Sequence, residues 1–223
     1  MSRFETSYNR LAGFTLIVGP LLLVTAAVVA TAGIGTTTGR WYENFLEGGL
    51  MITGFALLII GLQALSRLIG QSMPRLGIVT AILSAFGIAG AIMPSFTRIE
   101  GSIMVARGIT VDQLDVVHNA ETMTSGEYFL LPFVLCFFLS FLLIAYGLWQ
   151  VKATPRFAPV MLAVGSFLFP MAQAQAVPNF ALYVAATAAW LLGFAPLGLA
   201  MMREPQVISA GFSATTAPDR PLA

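Results

Sequence analysis

Phe45–Leu65 reads "FLEGGLMITGFALLIIGLQAL". These 21 residues hold a single ionisable side chain, Glu47, two positions after the start. About 20 consecutive apolar residues, wound as a helix, cross the hydrocarbon core of a bilayer. A soluble amphipathic helix would carry a polar stripe at a 3.6-residue period, and this stretch has none. Glu47, Gly54 and Gly61 recur at intervals of seven and share one face. The two glycines let a neighbouring backbone approach closely, which marks that face as a packing face. Glu47 lies about 3 Å inside the run at the helical rise and is expected to point into a bundle.

The rest of the chain repeats this pattern. It has 223 residues, 57% hydrophobic and 9% charged. Six apolar runs span about 11–32, 45–65, 76–96, 128–149, 157–177 and 180–203. They predict an all-α, polytopic membrane protein of six transmembrane helices over residues 1–203, followed by a disordered cytoplasmic tail over 204–223. "VATAG" at Val29–Gly33 resembles a signal-peptidase site, but the preceding apolar run is too long for a signal peptide. The first run therefore reads as a retained helix.

Charge is divided between the two ends of such a bundle. One set of ends carries eight Lys or Arg against three acids; the other carries three Arg against seven acids. By the positive-inside rule the basic set, with both termini, faces the cytoplasm, and the acidic loops 33–44 and 97–126 face outward. The expected location is the inner (plasma) membrane. The lone cysteine, Cys136, sits mid-helix and allows no internal disulfide.

Three helical hairpins emerge from similar openings. "RLAGFTLIVG", "RLGIVTAILS" and "RFAPVMLAVG" begin at Arg10, Arg75 and Arg156, and each places a small residue nine positions on: Gly19, Ser84 and Gly165. The partner helices end on "GLQALSR", "GLWQVK" and "GLAMMR". Such repeats are common in membrane folds. Gly77, Ser84, Gly87 and Gly90 in the third run, and Ala185, Ala189 and Gly193 in the sixth, are expected packing faces. The Phe-rich fourth run, with Phe133, Phe137, Phe138 and Phe141, is expected to face lipid or a partner. Pro20, Pro170 and Pro196 are expected kinks.

Candidate functional residues gather at the acidic end. Glu47 is ionisable within a membrane run, which is a functional signal; the alternative is an interfacial pair with Arg40, Arg98 or Arg107. Glu43, Glu47, Glu127, Gln173, Gln175 and Asn179 are expected to line an outward polar vestibule. Trp190, mid-helix, either stacks on an apolar ligand or packs. Thr110 and Gln113 suggest a capping box opening a surface helix over 110–123. On it, Asp115 and Glu121 lie one turn from His118 and would raise its pKa. One His is too few for a zinc site, and a solvated, charge-paired loop is expected, without metal or cofactor.

No mid-membrane acid or base points to a proton relay, no second His to a bis-His haem, and no glycine motif to a nucleotide. Nothing in the charge pattern suggests nucleic acid. The stretches "RLAGFTLIVGPLLL", "ENFLEGGLMITGFALLIIGLQAL" and "PRLGIVTAILSAFGIAGAIMPSF" resemble the small six-helix bacterial membrane proteins of a domain-of-unknown-function family. That resemblance implies a helical bundle and no established catalytic residues. The sequence thus points to a non-enzymatic accessory subunit of a membrane complex or homo-oligomer, or to a binder of membrane lipid or a quinone-like apolar ligand. The competing expectation is a small permease or membrane enzyme with an outward vestibule. In a Cys136→Ala background, Thr37→Cys should react with an impermeant thiol reagent added outside intact cells, and Ser72→Cys should be protected. The reverse labelling pattern would invert the orientation.

Overall fold

A computed structural model describes residues 3–40, 42–116, 126–152, 154–173 and 179–203, with only the backbone of 126–130. The chain is all-α in these segments. Six long helices follow in order: α1 (Arg3–Thr31), α2 (Phe45–Ser72), α3 (Pro74–Ala106), α4 (Gly126–Val151), α5 (Phe157–Gln173) and α6 (Phe180–Arg203). Residues 111–116 form one further short helical stretch. By length and composition, five helices can cross a membrane: α1, α2, α3, the part of α4 from Leu131 to Val151, and α6. This marks a multi-pass membrane protein. The fifth helix, α5, is apolar but has only 17 residues.

Helix ends explain where the predicted boundaries moved. The third run was expected to end at Phe96 with its apolar residues, yet α3 continues to Ala106. Polar side chains such as Arg98 and Glu100 do not stop a helix; glycine in the left-handed region does. Gly108 has φ +89, its N–H donates to Val105 O at 2.9 Å, and Ile109 N–H donates to Met104 O at 3.1 Å. That is a Schellman closure. The same closure ends α1, where Gly33 (φ +64) donates to Ala30 O and Ile34 donates to Val29 O. The expected outer loop 97–126 is therefore helical through Ala106 and again over 111–116. The interval 66–75 left between the second and third runs shrinks to Met73 alone, because Pro74 starts α3 directly after α2.

Each helix packs on its neighbours in chain order, and α6 returns to pack on α1, so the helices form a closed ring. One end holds the first residues of α1, the α2–α3 junction and the end of α6; it is called here the terminal end. The opposite, distal end holds the α1–α2 loop and the end of α3. Glycines set several seams of the ring. A Cβ on Gly19 would lie 2.9 Å from the Gly54 carbonyl oxygen, so α1 and α2 meet backbone to backbone. A Cβ on Gly13 would lie 2.6 Å from Gly198 O, where α6 closes on α1. Gly87 abuts the backbone of Cys136 and Phe137 on α4. The packing roles expected for Gly54, Gly61, Gly77, Gly87, Gly90 and Gly193 are those found. Ala185 differs: it is exposed, and Ala186 takes the packed position.

Aromatic rings fill the interior. Phe55, Phe141, Tyr183, Trp190 and Phe194 are buried almost completely. Trp190 is the hub, with ring centroids 4.8 Å from Phe169, 5.1 Å from Phe141 and 5.5 Å from Phe137. The lipid- or partner-facing place expected for the Phe-rich helix is corrected for Phe137 and Phe141, which point into the core. They pack there because Gly87 and Gly90 bring α3 close enough for the α4 rings to pass inward. Phe138 meets Phe167 at 5.0 Å on the α4–α5 seam.

Candidate functional site

At the distal end, four helices converge on one guanidinium. Arg98 is carried by the part of α3 that runs past its apolar stretch. Its Nε lies 3.0 Å from Oε1 of Glu47, at the start of α2, and both side chains are only 3% exposed. Arg98 Nη1 donates to Pro94 O at 3.0 Å, and Nη2 donates to Gln173 Oε1 on α5 at 3.2 Å. The Tyr183 hydroxyl of α6 faces the Glu47 carboxylate, without the alignment of a full hydrogen bond. The Tyr183 ring also packs on Phe169 at 5.8 Å, so the polar knot rests on the aromatic core.

Taking two charges out of water costs several kcal/mol each, and only close pairing with further hydrogen bonds offsets that. Pairing Glu47 with Arg98 leaves the pair without net charge, and Pro94 and Gln173 each accept one further guanidinium N–H. Of the two readings of Glu47, the geometry matches the paired one, with Arg98 as partner. The pair is buried within the fold rather than placed at an open interface.

A second carboxylate organises the loop above. Glu43 accepts from Thr38 Oγ1 at 2.7 Å, Thr38 N at 2.9 Å, Thr37 Oγ1 at 3.0 Å and Thr37 N at 3.1 Å. Burial pushes its carboxyl upward, but these hydrogen bonds outweigh burial and hold it below the ordinary carboxylate value of 4.5. Asn44 follows as the N-cap of α2: its Oδ1 accepts from Glu47 N at 2.9 Å, and its Nδ2 donates to Ile34 O at 3.0 Å. Asn44 N–H donates to Arg98 O at 3.2 Å and ties the loop to α3.

The expected site residues separate into different roles. Glu47 and Gln173 meet at Arg98. Glu43 does not line a vestibule with them; it is buried in its threonine cradle. Asn179 caps α6, accepting from Leu182 N at 3.1 Å. Trp190 is a core residue. Asp115 pairs with Arg40 at 2.7 Å on the surface, with side chains 31% and 47% exposed, an arrangement that contributes little stability. The capping box forms as expected, Gln113 Oε1 accepting from Thr110 N at 3.0 Å. His118, Glu121, Gln175, the side chain of Glu127 and the tail 204–223 lie outside the described residues. Tyr183 escaped the sequence reading, and Arg98 entered it only as one of three partners. Their signal was an arginine four residues after Pro94 and a tyrosine in an apolar run, neither of which identifies a partner by itself.

The fold defines a multi-pass helical membrane protein with a buried ion pair. The chain matches no protein-family model, no curated protein and no solved structure.

Arg98→Ala strands the Glu47 carboxylate and should destabilise the fold by about 3–5 kcal/mol. Glu47→Gln combined with Arg98→Met should recover most of that loss in the same unfolding measurement. A double variant as unstable as Arg98→Ala would refute ion pairing as the reason. Glu43 predicts a pH dependence of defined sign. Its folded pKa lies below its unfolded one, so its contribution is complete above about pH 5 and is lost as pH falls through the folded value. Glu43→Gln should cost about 1–3 kcal/mol near neutrality, with the gap to the wild type narrowing in acid. A gap constant across the acid range would remove the carboxylate from this role.

Proposed function

We propose that this chain is a non-enzymatic membrane binding protein of six spans, with both termini in the cytoplasm. It holds an apolar or amphiphilic molecule of the lipid or quinone class against the flank of its helix ring, alone or as an accessory subunit of a larger membrane complex. The observation that carries this reading is the aromatic packing among the described residues: Trp190, Phe141 and Phe194 are buried and in ring contact inside the helix ring. The ionisable groups nearest that interior neutralise each other. Helix α5 counts as the sixth span because it packs between α4 and α6, and about 17 residues is the lower limit for crossing. A positive-inside arrangement of the basic ends supports the orientation. The three-hairpin repeat gains support at two of its three matched positions, since Gly19 packs on α2 and Gly165 on α6, each within its own hairpin. Membership in a six-helix bacterial family of unknown function remains part of the proposal.

One observation favours a second reading. Paired ionisable residues inside an apolar bundle also mark ion and substrate pathways, so a permease using Glu47 and Gln173 is the alternative.

Purification in mild detergent, followed by size measurement and mass spectrometry of extracted lipids, tests the first reading. A co-purifying amphiphile or partner subunit is expected, and a bare monomer that retains neither overturns it. Solute flux in proteoliposomes that disappears in a folded Glu47→Gln variant would establish the alternative instead.

A further inference from the structure

A groove of about 600 Å³ opens at the terminal end, between the start of α1, the last turns of α2 and the start of α3. That volume falls within the range of small-molecule sites. Its chemistry is divided along its length. Toward the end of the bundle it is lined by Ser66, Arg67 and Gln71; toward the bundle middle it is lined by Ile78, Ala81 and Gln63, whose amide donates to Ala81 O. Ile78 is 63% exposed, and Ile82, one turn further, is exposed as well, so the apolar part continues into a lipid-facing stripe.

Three features at the polar part favour an anion. The first turn of α3 has no side-chain cap: Met73 supplies none, and Pro74 occupies the opening position. The start of this 33-residue helix therefore presents backbone N–H groups and the positive end of its dipole. Arg67 adds a full charge. It is exposed and pairs with Glu5 at 3.4 Å, a long and solvated contact that another anion can replace. Ser66 lines the groove, is 1% exposed, and its hydroxyl has no hydrogen-bond partner among the described residues. A buried hydroxyl left unpaired is costly, and a ligand oxygen relieves it.

We propose that this groove binds an anionic phospholipid. Its phosphate sits at the start of α3 between Arg67 and Ser66, and an acyl chain runs along Ala81, Ile78 and Ile82. A soluble anion would use only the polar half, and a neutral apolar molecule only the other half; a charged lipid matches both. The site deepens the binding function proposed above and rests on it. In the proposed orientation it takes lipid from the cytoplasmic leaflet.

The test uses delipidated full-length protein and three probes: phosphatidylglycerol, phosphatidylcholine and inorganic phosphate. Lipid retention is read by native mass spectrometry and stabilisation by thermal unfolding. Phosphatidylglycerol should be retained about tenfold more than phosphatidylcholine, which carries the same phosphate but adds a choline cation that Arg67 and the positive end of α3 repel. Arg67→Gln should abolish that preference, and Arg67→Lys should restore part of it. Ser66→Ala, which removes the unpaired hydroxyl, should reduce retention of phosphatidylglycerol while raising the unliganded melt. Equal retention of the two lipids, or a preference that survives Arg67→Gln, overturns the site but spares the broader binding function. Retention of neither lipid and of no other amphiphile rejects both. Stabilisation by inorganic phosphate equal to that by phosphatidylglycerol would show a soluble-anion site and overturn the lipid assignment.

Discussion

The burial of Arg98 constrains the distal half of this protein. A guanidinium cannot shed its charge, so a chain that folds it away from water must bring a carboxylate and several acceptors to it. Those groups come from separate elements: Glu47 from α2, the Pro94 carbonyl from α3 itself and Gln173 from α5, with Tyr183 of α6 facing the carboxylate. Meeting this requirement sets the relative rotation and height of four helices at once. The loop above follows from it. Asn44 caps α2 beside Glu47 and donates its backbone N–H to the Arg98 carbonyl, and Glu43, one residue earlier, collects Thr37 and Thr38.

Elsewhere in the ring the organising force differs. Between apolar helices in lipid, transfer out of water gives no attraction, because the surrounding tails are as apolar as the packed side chains. Contact area has to come from close approach. Gly19 against Gly54, Gly13 against Gly198 and Gly87 against the α4 backbone supply it at the seams. Drawing the helices together there leaves a centre that large rings fill, with edge and tilted contacts around Trp190. Small residues at the seams and large residues at the centre are two consequences of one geometry.

The two ends are therefore unlike. At the distal end, α1 and α3 stop in Schellman closures, α2 and α6 begin on asparagine caps, and Glu47 is paired with Arg98. At the terminal end, α2 passes into α3 through a single residue, the start of α3 lacks a side-chain cap, and a groove lies beside it.

Much of the fold was legible in residues that bear on local energetics. Apolar runs free of charge announced the long helices, because an unpaired charge in hydrocarbon is too costly to recur. Gly54, Gly61 and Gly87 announced packing faces, and Thr110 with Gln113 announced a cap, since each signal lies within a few residues of its effect. Glu47 stood out for the same reason, as the one acid in an apolar run. The length of α3 was readable too, in Gly108, but the end of the apolar run at Phe96 is the more conspicuous mark and the wrong one. What only the tertiary structure decided was partnership across the ring. Arg98, Gln173 and Tyr183 lie 51, 126 and 136 positions after Glu47 in the chain, and no local pattern links them. The phenylalanines of α4, most of them at four-residue spacing, likewise do not declare whether their side faces lipid or the core. Apolar side chains are nearly as stable against lipid as against protein, so only the close approach of α3 turned Phe137 and Phe141 inward.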